Sequence, residues 1–310
     1  MKKFLIHIIL FACFALIGYA LLVVIWGEVM PKGFKKNINY RLGSYGHMNT
    51  RVREAKQFEN VDILFLGASD AYRSFDTRIF NARGYKSFNL GSSSQSPLQT
   101  EVLLKKYLPT LNPKKVIYAV SPFVLCSDGV ESALDLEANE VIDLNTFKMV
   151  MFVNQIKPYN TFIYSTYRQL RHKDDDFIEP LETEEDKYIK GGFVEKKFYT
   201  FNSKLKVATT KNDLEFNVSQ KRAFENILLM LQSRGVEIHL VKTPVAHYQE
   251  YIHPLWDSIQ TYYASKARYY NFNQPNMGFV DTLHFNDQYH LNQRGVEKFN
   301  SMVIDSLLKN

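Results

Sequence analysis

The sequence has few cysteines and lacks the short motifs by which many proteins bind metals or nucleotides. Two of its 310 residues are cysteine. Cys13 lies in an apolar run and leaves Cys126 without a soluble partner, so the cysteines indicate neither an oxidising nor a reducing compartment. No GxGxxG follows a candidate strand, and there is no Walker lysine loop, HExxH or pair of CxxC motifs. We therefore expect no cofactor and no metal.

The chain also lacks a dense block of one charge. Its net charge of +6 comes from basic residues scattered among acidic ones. A nucleic-acid interface would concentrate Lys and Arg in one stretch or on one face. We therefore expect no nucleic-acid partner.

One long apolar run stands at the N-terminus. Lys2 and Lys3 precede residues 4–26, which contain no Lys, Arg, Asp or Glu, and about 20 apolar residues suffice to cross a bilayer. The alternative is a cleaved signal peptide, but the run exceeds a usual apolar signal region and no convincing small-x-small cleavage site precedes Gly27. We interpret residues 1–28 as a single transmembrane anchor. Because long domains after such an anchor are translocated whatever their charge, we expect a cell-membrane protein with an extracytoplasmic catalytic domain.

The remaining chain alternates between strand and helix patterns. We interpret the polar residues 29–58 as a juxtamembrane stalk and residues 59–310 as the catalytic domain. Strands are predicted at 61–66, 85–90, 115–120 and 236–241, with a short fifth strand at 279–280 after a helix that includes 262–270. Alternation with helices predicts a three-layer α/β/α sandwich with a mainly parallel sheet and a site at the carboxyl ends of the strands. Residues 126–216, with weak periodicity and acidic patches, are interpreted as a mostly helical insertion that sets specificity.

Two short segments contain the residue types of a catalytic triad. Ser69 follows the first predicted strand directly, where a serine is either a nucleophile or a helix N-cap. Near the other end, Asp287 precedes His290 by three residues, so the carboxylate can orient the imidazole and leave its other nitrogen to deprotonate a serine. The pair Asp281 and His284 repeats the same spacing. The interpretation is a Ser69, Asp287 and His290 triad.

These segments resemble the sequence blocks of the SGNH, or GDSL-like, hydrolase superfamily. Its first block is matched by residues 66–69, with Ala68 in place of the usual Asp, and its last block, D-x-x-H-L-N-x-x-G, is matched completely by residues 287–295. Because only His290 is followed by this block, the resemblance favours His290 over His284. It covers roughly residues 60–124 and 216–310, and it implies a flavodoxin-like fold with a serine nucleophile.

The resemblance also implies an oxyanion hole. Its donors would be the backbone N–H of Ser69 and that of Gly91 or Ser94 in the loop after the second strand. The family's G-x-N-D block is absent, and Ser121 stands after the third strand as a substitute donor or substrate contact. Arg73 is a candidate for binding an anionic substrate, with a structural salt bridge as the alternative.

Departures of this kind occur in membrane-anchored relatives such as the teichoic acid D-alanyl transfer protein and alginate O-acetylation proteins. The resemblance to them implies acyl transfer to, or hydrolysis from, a cell-envelope polysaccharide or glycan, with a multispanning membrane O-acyltransferase as partner. Two alternatives remain at this stage. One is a membrane-proximal lipase or esterase acting on small esters, and the other is a non-catalytic module that binds glycans or assists assembly.

Overall fold

The centre of the molecule is a parallel β-sheet. The computed structural model describes residues 1–43, 46–197, 201, 215–246 and 254–308. In this part of the chain the strands are β1 (Ile63–Leu66), β2 (Ser87–Asn89), β3 (Lys115–Ala119), β4 (Asp186–Ile189), β5 (Phe193–Lys196), β6 (Glu237–Lys242) and β7 (Arg268–Asn271). The central sheet has the order β2-β1-β3-β6-β7 with every neighbouring pair parallel, and β4 and β5 form a separate antiparallel hairpin.

Helices cover both faces of this sheet. The helices of the described residues are α1 (Lys2–Val29), α2 (Met48–Ala55), α3 (Ser69–Tyr72), α4 (Thr77–Ala82), α5 (Pro97–Leu111), α6 (Pro122–Cys126), α7 (Val130–Asn139), α8 (Leu144–Val153), α9 (Ile156–Leu170), α10 (Val218–Gln232), α11 (Pro254–Lys266), α12 (Asp281–His284) and α13 (Gln293–Leu307). The predicted three-layer α/β/α class with a mainly parallel sheet and a preceding apolar helix is confirmed.

Strand β1 shows how the sequence produces two cores. Leu64 and Leu66 belong to the apolar cluster on one side of the sheet, and Ile63 and Phe65 belong to the cluster on the other side. Successive side chains of a strand point to opposite faces, so a strand buried on both faces must be apolar throughout. Burial of each such side chain contributes about 2 kcal/mol.

The strand order locates the site before any side chain is considered. Numbered within the central sheet alone, the strands run 2-1-3-4-5, the flavodoxin-like order, whose direction of winding reverses between β1 and β3. Loops leaving the carboxyl ends of these two strands diverge and open a crevice. Ser69 follows β1 and Ser121 follows β3, so both lie at this crevice.

The fifth strand of the sheet differs from the prediction. It is Arg268–Asn271, pairing with β6, whereas residues 279–280 form no strand and the preceding helix ends at Lys266. The sequence of β7 is half-exposed and carries two tyrosines, so it lacks the continuous apolar run by which the inner strands were recognised. Its pairing with β6 decides its conformation.

The interpretation of residues 29–58 as a stalk is wrong for the helix α2. Met48, Val52 and Ala55 lie in the core with at most 2% of their surface exposed. The polar residues between them misled the assignment, because one of them, Arg51, is buried as well. The folded domain therefore begins earlier than residue 59.

In its described residues, the predicted insertion contains helices α7, α8 and α9 and the β4-β5 hairpin. Helices α7, α8 and α9 pack against one another, and α5 contacts both α7 and α8. Residues 198–200 and 202–214 of the predicted insertion lie outside the described residues. The insertion thus packs against the sheet's own helices rather than standing apart from them.

Helix α1 is 28 residues long and apolar enough to cross a membrane by length and composition. Its last turns pack on α9: Val23 is buried, and a Cβ on Gly27 would lie 2.4 Å from the ring of Tyr164. Only glycine permits this approach. Helix α1 is therefore attached to the folded domain along one side of its carboxyl-terminal half.

Candidate active site

Ser69 begins a short helix immediately after the buried strand β1. Between them, Gly67 has φ +135°, and a Cβ there would lie 2.9 Å from the carbonyl oxygen of Ala119. A side chain at residue 67 is excluded both by this conformation and by the neighbouring strand β3. The turn therefore delivers Ser69 to the carboxyl edge of the sheet, and its backbone N–H, at the first helical position, has no intrahelical acceptor.

The structure brings the three predicted triad residues together. Ser69 Oγ lies 2.8 Å from His290 Nε2, and His290 Nδ1 lies 2.9 Å from Asp287 Oδ1 and 3.0 Å from Oδ2. Ser69 and His290 are 221 positions apart in the chain, so their contact depends on the whole fold. The carboxylate accepts the Nδ1 hydrogen, which leaves Nε2 as the acceptor for the serine hydroxyl.

The loop that carries His290 is fixed by the residues that follow it. Asn292 accepts a hydrogen bond from the backbone N–H of Gly295 as the N-cap of α13, and its Nδ2 donates to the carbonyl oxygen of Leu283 at 2.9 Å. A Cβ on Gly295 would lie 2.1 Å from the carbonyl oxygen of His284. Leu291 is buried in the core. The L-N-x-x-G residues after His290 therefore set the position of the loop.

Asp287 is held in its ionised form. Burial alone would raise the pKa of its carboxyl, but the hydrogen bond and charge of His290, the backbone N–H of Tyr289 and the charge of Lys196 together hold the pKa well below its usual range. Lys196 Nζ lies 3.1 Å from Asp287 Oδ2. Lys196 ends strand β5, so the insertion contributes a cation to the triad that the sequence analysis missed, because a surface lysine in an acidic segment has no distinguishing local pattern.

The competing histidine is used elsewhere. The backbone N–H of Val280 donates to His284 Nδ1 at 2.9 Å, and burial, followed by the charge of Lys298, lowers the pKa of this imidazole. The geometry thus separates the two Asp-x-x-His pairs, and Ser69 is hydrogen-bonded to His290.

The loop after β2 corrects one predicted oxyanion donor. The backbone N–H of Gly91 donates to Asn89 Oδ1 at 3.1 Å, and that of Ser92 donates to the carbonyl oxygen of Gly67 at 3.2 Å. The N–H of Gly91 is therefore already used in a hydrogen bond within the protein and does not serve as the oxyanion donor, although Gly91 packs directly against the turn that carries Ser69. Ser94, exposed and with φ +48°, stays the predicted donor from this loop.

Arg51 supports the end of β2 from the interior of the protein. The sequence analysis did not identify this residue. Its guanidinium is fully buried and donates to the backbone carbonyl oxygens of Asn89 at 3.1 Å, Gly46 at 2.5 Å and Gly192 at 2.8 Å. These carbonyls belong to the end of β2, the segment before α2 and the β4-β5 hairpin. One side chain therefore ties three separate segments together behind the site.

Ser121 lies where the family's asparagine block would stand. It follows β3, is half-buried and precedes α6 as its N-cap residue, and its carbonyl oxygen accepts a hydrogen bond from the hydroxyl of Tyr263 at 2.9 Å. Its place at the same crevice as Ser69 agrees with the predicted role as a donor or substrate contact, which stays a prediction.

Arg73 does not serve as a binding residue for an anionic substrate. Its two terminal nitrogens contact the two carboxylate oxygens of Asp186 at 2.8 and 2.9 Å, and 8% of its side-chain surface is exposed. The structural salt bridge was the alternative in the sequence analysis. Because both ends of the guanidinium fork are occupied, Arg73 fastens the β4-β5 hairpin to the helix that follows Ser69.

Asp70, next to the nucleophile, interacts electrostatically with the buried Lys242. Burial raises the pKa of Asp70, next to Ser69, whose Oδ1 is buried without a hydrogen-bond partner among the described residues. Lys242 ends strand β6 and is 4% exposed, and burial, opposed by the charge of Asp70, lowers its pKa to about 8. The lysine after the apolar run of β6 was a sequence signal for this pair.

No family model matches the chain, and no curated protein matches its sequence. Solved structures similar to it include a GDSL-like lipase from Bacteroides thetaiotaomicron, with 11% identity, 85% of this chain and 98% of that chain covered and a TM-score of 0.40. Another is a candidate acylhydrolase from Bacteroides fragilis, with 10% identity, 85% and 96% covered and a TM-score of 0.37. At these scores the likeness carries no weight for function, which must be judged from the site itself.

Proposed function

We propose that this protein is a serine-dependent acyltransferase or esterase that works through a covalent acyl-serine intermediate. The observation that carries the proposal is the hydrogen-bonded series from Asp287 through His290 to Ser69. A serine that only caps a helix has no need of an imidazole at 2.8 Å from its hydroxyl. The oriented imidazole makes Ser69 a nucleophile.

The reaction proceeds in two steps. His290 Nε2 takes the proton of Ser69 as Oγ attacks the acyl carbonyl carbon, and the carbonyl π electrons move to the oxygen. The oxyanion is stabilised by the N–H of Ser69 and by the predicted donor at Ser94, each worth about 3 kcal/mol of barrier. Its collapse breaks the bond to the leaving oxygen, which takes the proton from His290 and departs as the alcohol. Water or a sugar hydroxyl, deprotonated by His290, then attacks the acyl-serine ester, and Ser69 Oγ leaves with the proton that His290 returns.

For the substrate we propose a cell-envelope polysaccharide or glycan. The apolar helix α1 supports an anchored domain, and the extracytoplasmic side is proposed because long domains after such an anchor are usually translocated. The sequence departs from simple hydrolases of the resembled superfamily where the G-x-N-D block is missing. A multispanning membrane O-acyltransferase that supplies the acyl group is part of this proposal. Hydrolysis of small esters at the membrane is the second candidate, since the triad itself does not distinguish water from a sugar hydroxyl as acceptor.

Intact mass spectrometry of the full chain in detergent tests the chemistry. A fluorophosphonate probe should add once to the wild type and not to Ser69→Ala, while Ser265→Ala, which changes an exposed serine on α11, should react like the wild type. Absence of labelling in a folded wild type would contradict a catalytic role and favour a binding module.

Turnover distinguishes the two candidates. Rapid hydrolysis of p-nitrophenyl acetate without any glycan would favour an esterase. Slow hydrolysis, with an acetyl-serine that is discharged when a glycan acceptor is added, would favour transfer.

A further inference from the structure

Helix α8 exposes an apolar face that the proposed chemistry does not use. Phe147, Met151 and Phe152 are 42%, 51% and 51% exposed, and Leu144 at the start of the helix is 66% exposed. These positions fall on one side of the helix, which also exposes Lys148, while Thr146, Met149, Val150 and Val153 on the other side are buried. Four large apolar side chains around one lysine, whose ammonium can reach a polar boundary along its apolar stem, form a face suited to the edge of an apolar environment.

The packing of α9 on α1 places this face beside the apolar run. Tyr19 donates a hydrogen bond to Asn160, and Tyr164 contacts Gly27 and donates to Glu28 at 2.9 Å. Residue numbers rise together in these contacts, so α9 runs in the same direction as α1. The start of α9, one turn or about 6 Å before Asn160, is therefore level with the interior of the apolar run.

Helix α8 leads directly into this start of α9. Ile156, the first residue of α9, is 57% exposed, and the ring of Phe147 packs on Phe162 of α9 with centroids 5.6 Å apart. Apart from the exposed Asn154 and Gln155 between the two helices, apolar surface thus continues from α1 across α9 to α8. A bilayer that contains residues 4–26 of α1 would meet this surface.

Basic residues border the apolar surface on its polar side. A cavity of about 680 Å³ near the carboxyl end of α1 is lined by Lys35, Lys36, Arg41, Lys157 and Arg168, and no Asp or Glu of the described chain is among its lining residues. Arg168 is paired with Asp174 and lies 3.6 Å from Glu28, while Lys36 is exposed. An apolar surface bordered by Lys and Arg side chains is typical of a protein face that contacts an anionic membrane interface.

We propose that α8 and the first turn of α9 form a second membrane contact, seated in the leaflet next to the carboxyl end of α1, with the basic cavity receiving the anionic headgroups of its phospholipids. The inference rests on the proposed membrane anchor and is independent of the triad. Two membrane contacts would fix the orientation of the domain relative to the bilayer, so that Ser69 lies at a constant distance from the lipid surface.

Spin labels on the full chain in lipid nanodiscs test the contact. In a Cys13→Ala, Cys126→Ala background, single labels are placed by Phe14→Cys in α1, Phe152→Cys in α8 and Leu283→Cys in α12. Leu283 is the matched control, since it is 42% exposed and α12 packs on α13 across the sheet from α8. We expect labels at 14 and 152 to collide several-fold more with oxygen than with a water-soluble nickel complex, and the label at 283 to do the reverse.

The outcomes separate the contact from the anchor. A label at 152 that behaves like the one at 283, while the label at 14 reports lipid, would overturn the contact and leave the anchor standing. A label at 14 in water would overturn both. A label at 152 shielded from both reagents, with spin–spin coupling between chains, would show that a second copy covers the face and would also overturn it.

Lipid charge tests the headgroup part. Nanodiscs with one third phosphatidylglycerol should hold the label at 152 deeper than pure phosphatidylcholine, and Lys36→Gln with Lys157→Gln should remove the difference. If inorganic phosphate at constant ionic strength removes it in the unmodified chain, the cavity takes free phosphate and the lipid assignment fails.

Discussion

The two halves of the catalytic site are positioned by different kinds of structure. Ser69 follows a strand whose four residues are all completely buried, and the glycine between them is confined by the neighbouring strand. His290 lies in a surface loop, where it and Asp287 are 19% and 36% exposed, and hydrogen bonds around Asn292 fix the loop. The nucleophile therefore depends on the core, whereas the base depends on a few local contacts.

This difference predicts where the site can be damaged without unfolding the protein. A change under Ser69 alters the packing of the sheet, so activity and stability should fall together. A change in the loop of His290 can displace the imidazole by an ångström and lose catalysis while the core remains intact.

The largest effect should come from the base itself. His290→Gln removes the proton acceptor of Ser69, and we expect kcat/KM to fall by roughly 10³ to 10⁴. The matched control is His284→Gln, which we expect to lower it by less than about tenfold, because His284 accepts from a backbone N–H and does not touch Ser69. Esterase assays on both variants decide the matter, and a larger loss in His284→Gln would reverse the assignment of the two pairs.

A smaller effect should follow from moving the loop without changing the triad. In Gly295→Ala the new Cβ would lie 2.1 Å from the carbonyl oxygen of His284, so the backbone must shift. We expect about a 10²-fold loss of kcat/KM with a smaller fractional change in the free energy of unfolding. Gly33→Ala, where nothing lies within 4 Å, is the control. Urea unfolding and activity are measured together, and a parallel loss of both would show that the loop belongs to the core.

The sequence was sufficient where the signal is local. The apolar runs of β1, β3 and β6 predict buried strands, and the D-x-x-H-L-N-x-x-G block contains the cap and the glycine that hold its own loop. The paired placement of Ser69 and His290 followed from the fold, since both lie at the carboxyl edge of the same sheet.

Other parts of the site depend on partners far away in the chain. Arg51 lies in the segment that was interpreted as a stalk, and for Arg73 substrate binding and a structural salt bridge were both open. Burial against the β4-β5 hairpin decides the role of each. The hydrogen bond from the N–H of Gly91 depends on the rotamer of Asn89. Lys196 contacts Asp287, from which it is separated by 91 positions in the chain. Local patterns do not encode such contacts, because they arise when segments pack.

A pH series on the core side sharpens the comparison further. Burial lowers the pKa of Lys242 to about 8 from 10.5, so its charged form destabilises the native state. The loss of folding free energy caused by this buried charge is fully present below about pH 8 and disappears as pH rises towards 10.5. Relative to Lys242→Met, the wild type should gain up to about 3 kcal/mol over this window. Urea unfolding of both proteins at several pH values checks it, and a constant difference would show that Lys242 is solvated.

The smallest effect should come from Lys196, the insertion's contact with the base side. Asp287 has a lowered pKa, so its contribution to stability is present above about pH 4 and is lost as pH falls below that value. Because the ion pair is 22% and 36% exposed, Lys196→Met should cost less than about 1 kcal/mol. It should also make this acid loss smaller and complete at a slightly higher pH, because the native pKa of Asp287 rises while its unfolded pKa is unchanged. At pH 7 Asp287 stays ionised, so kcat/KM should change by less than about threefold, as in the control Lys187→Met on the same hairpin. A tenfold loss at pH 7 confined to Lys196→Met would mean that the insertion positions the base or contacts substrate, and the two halves of the site would then differ less than their burial implies.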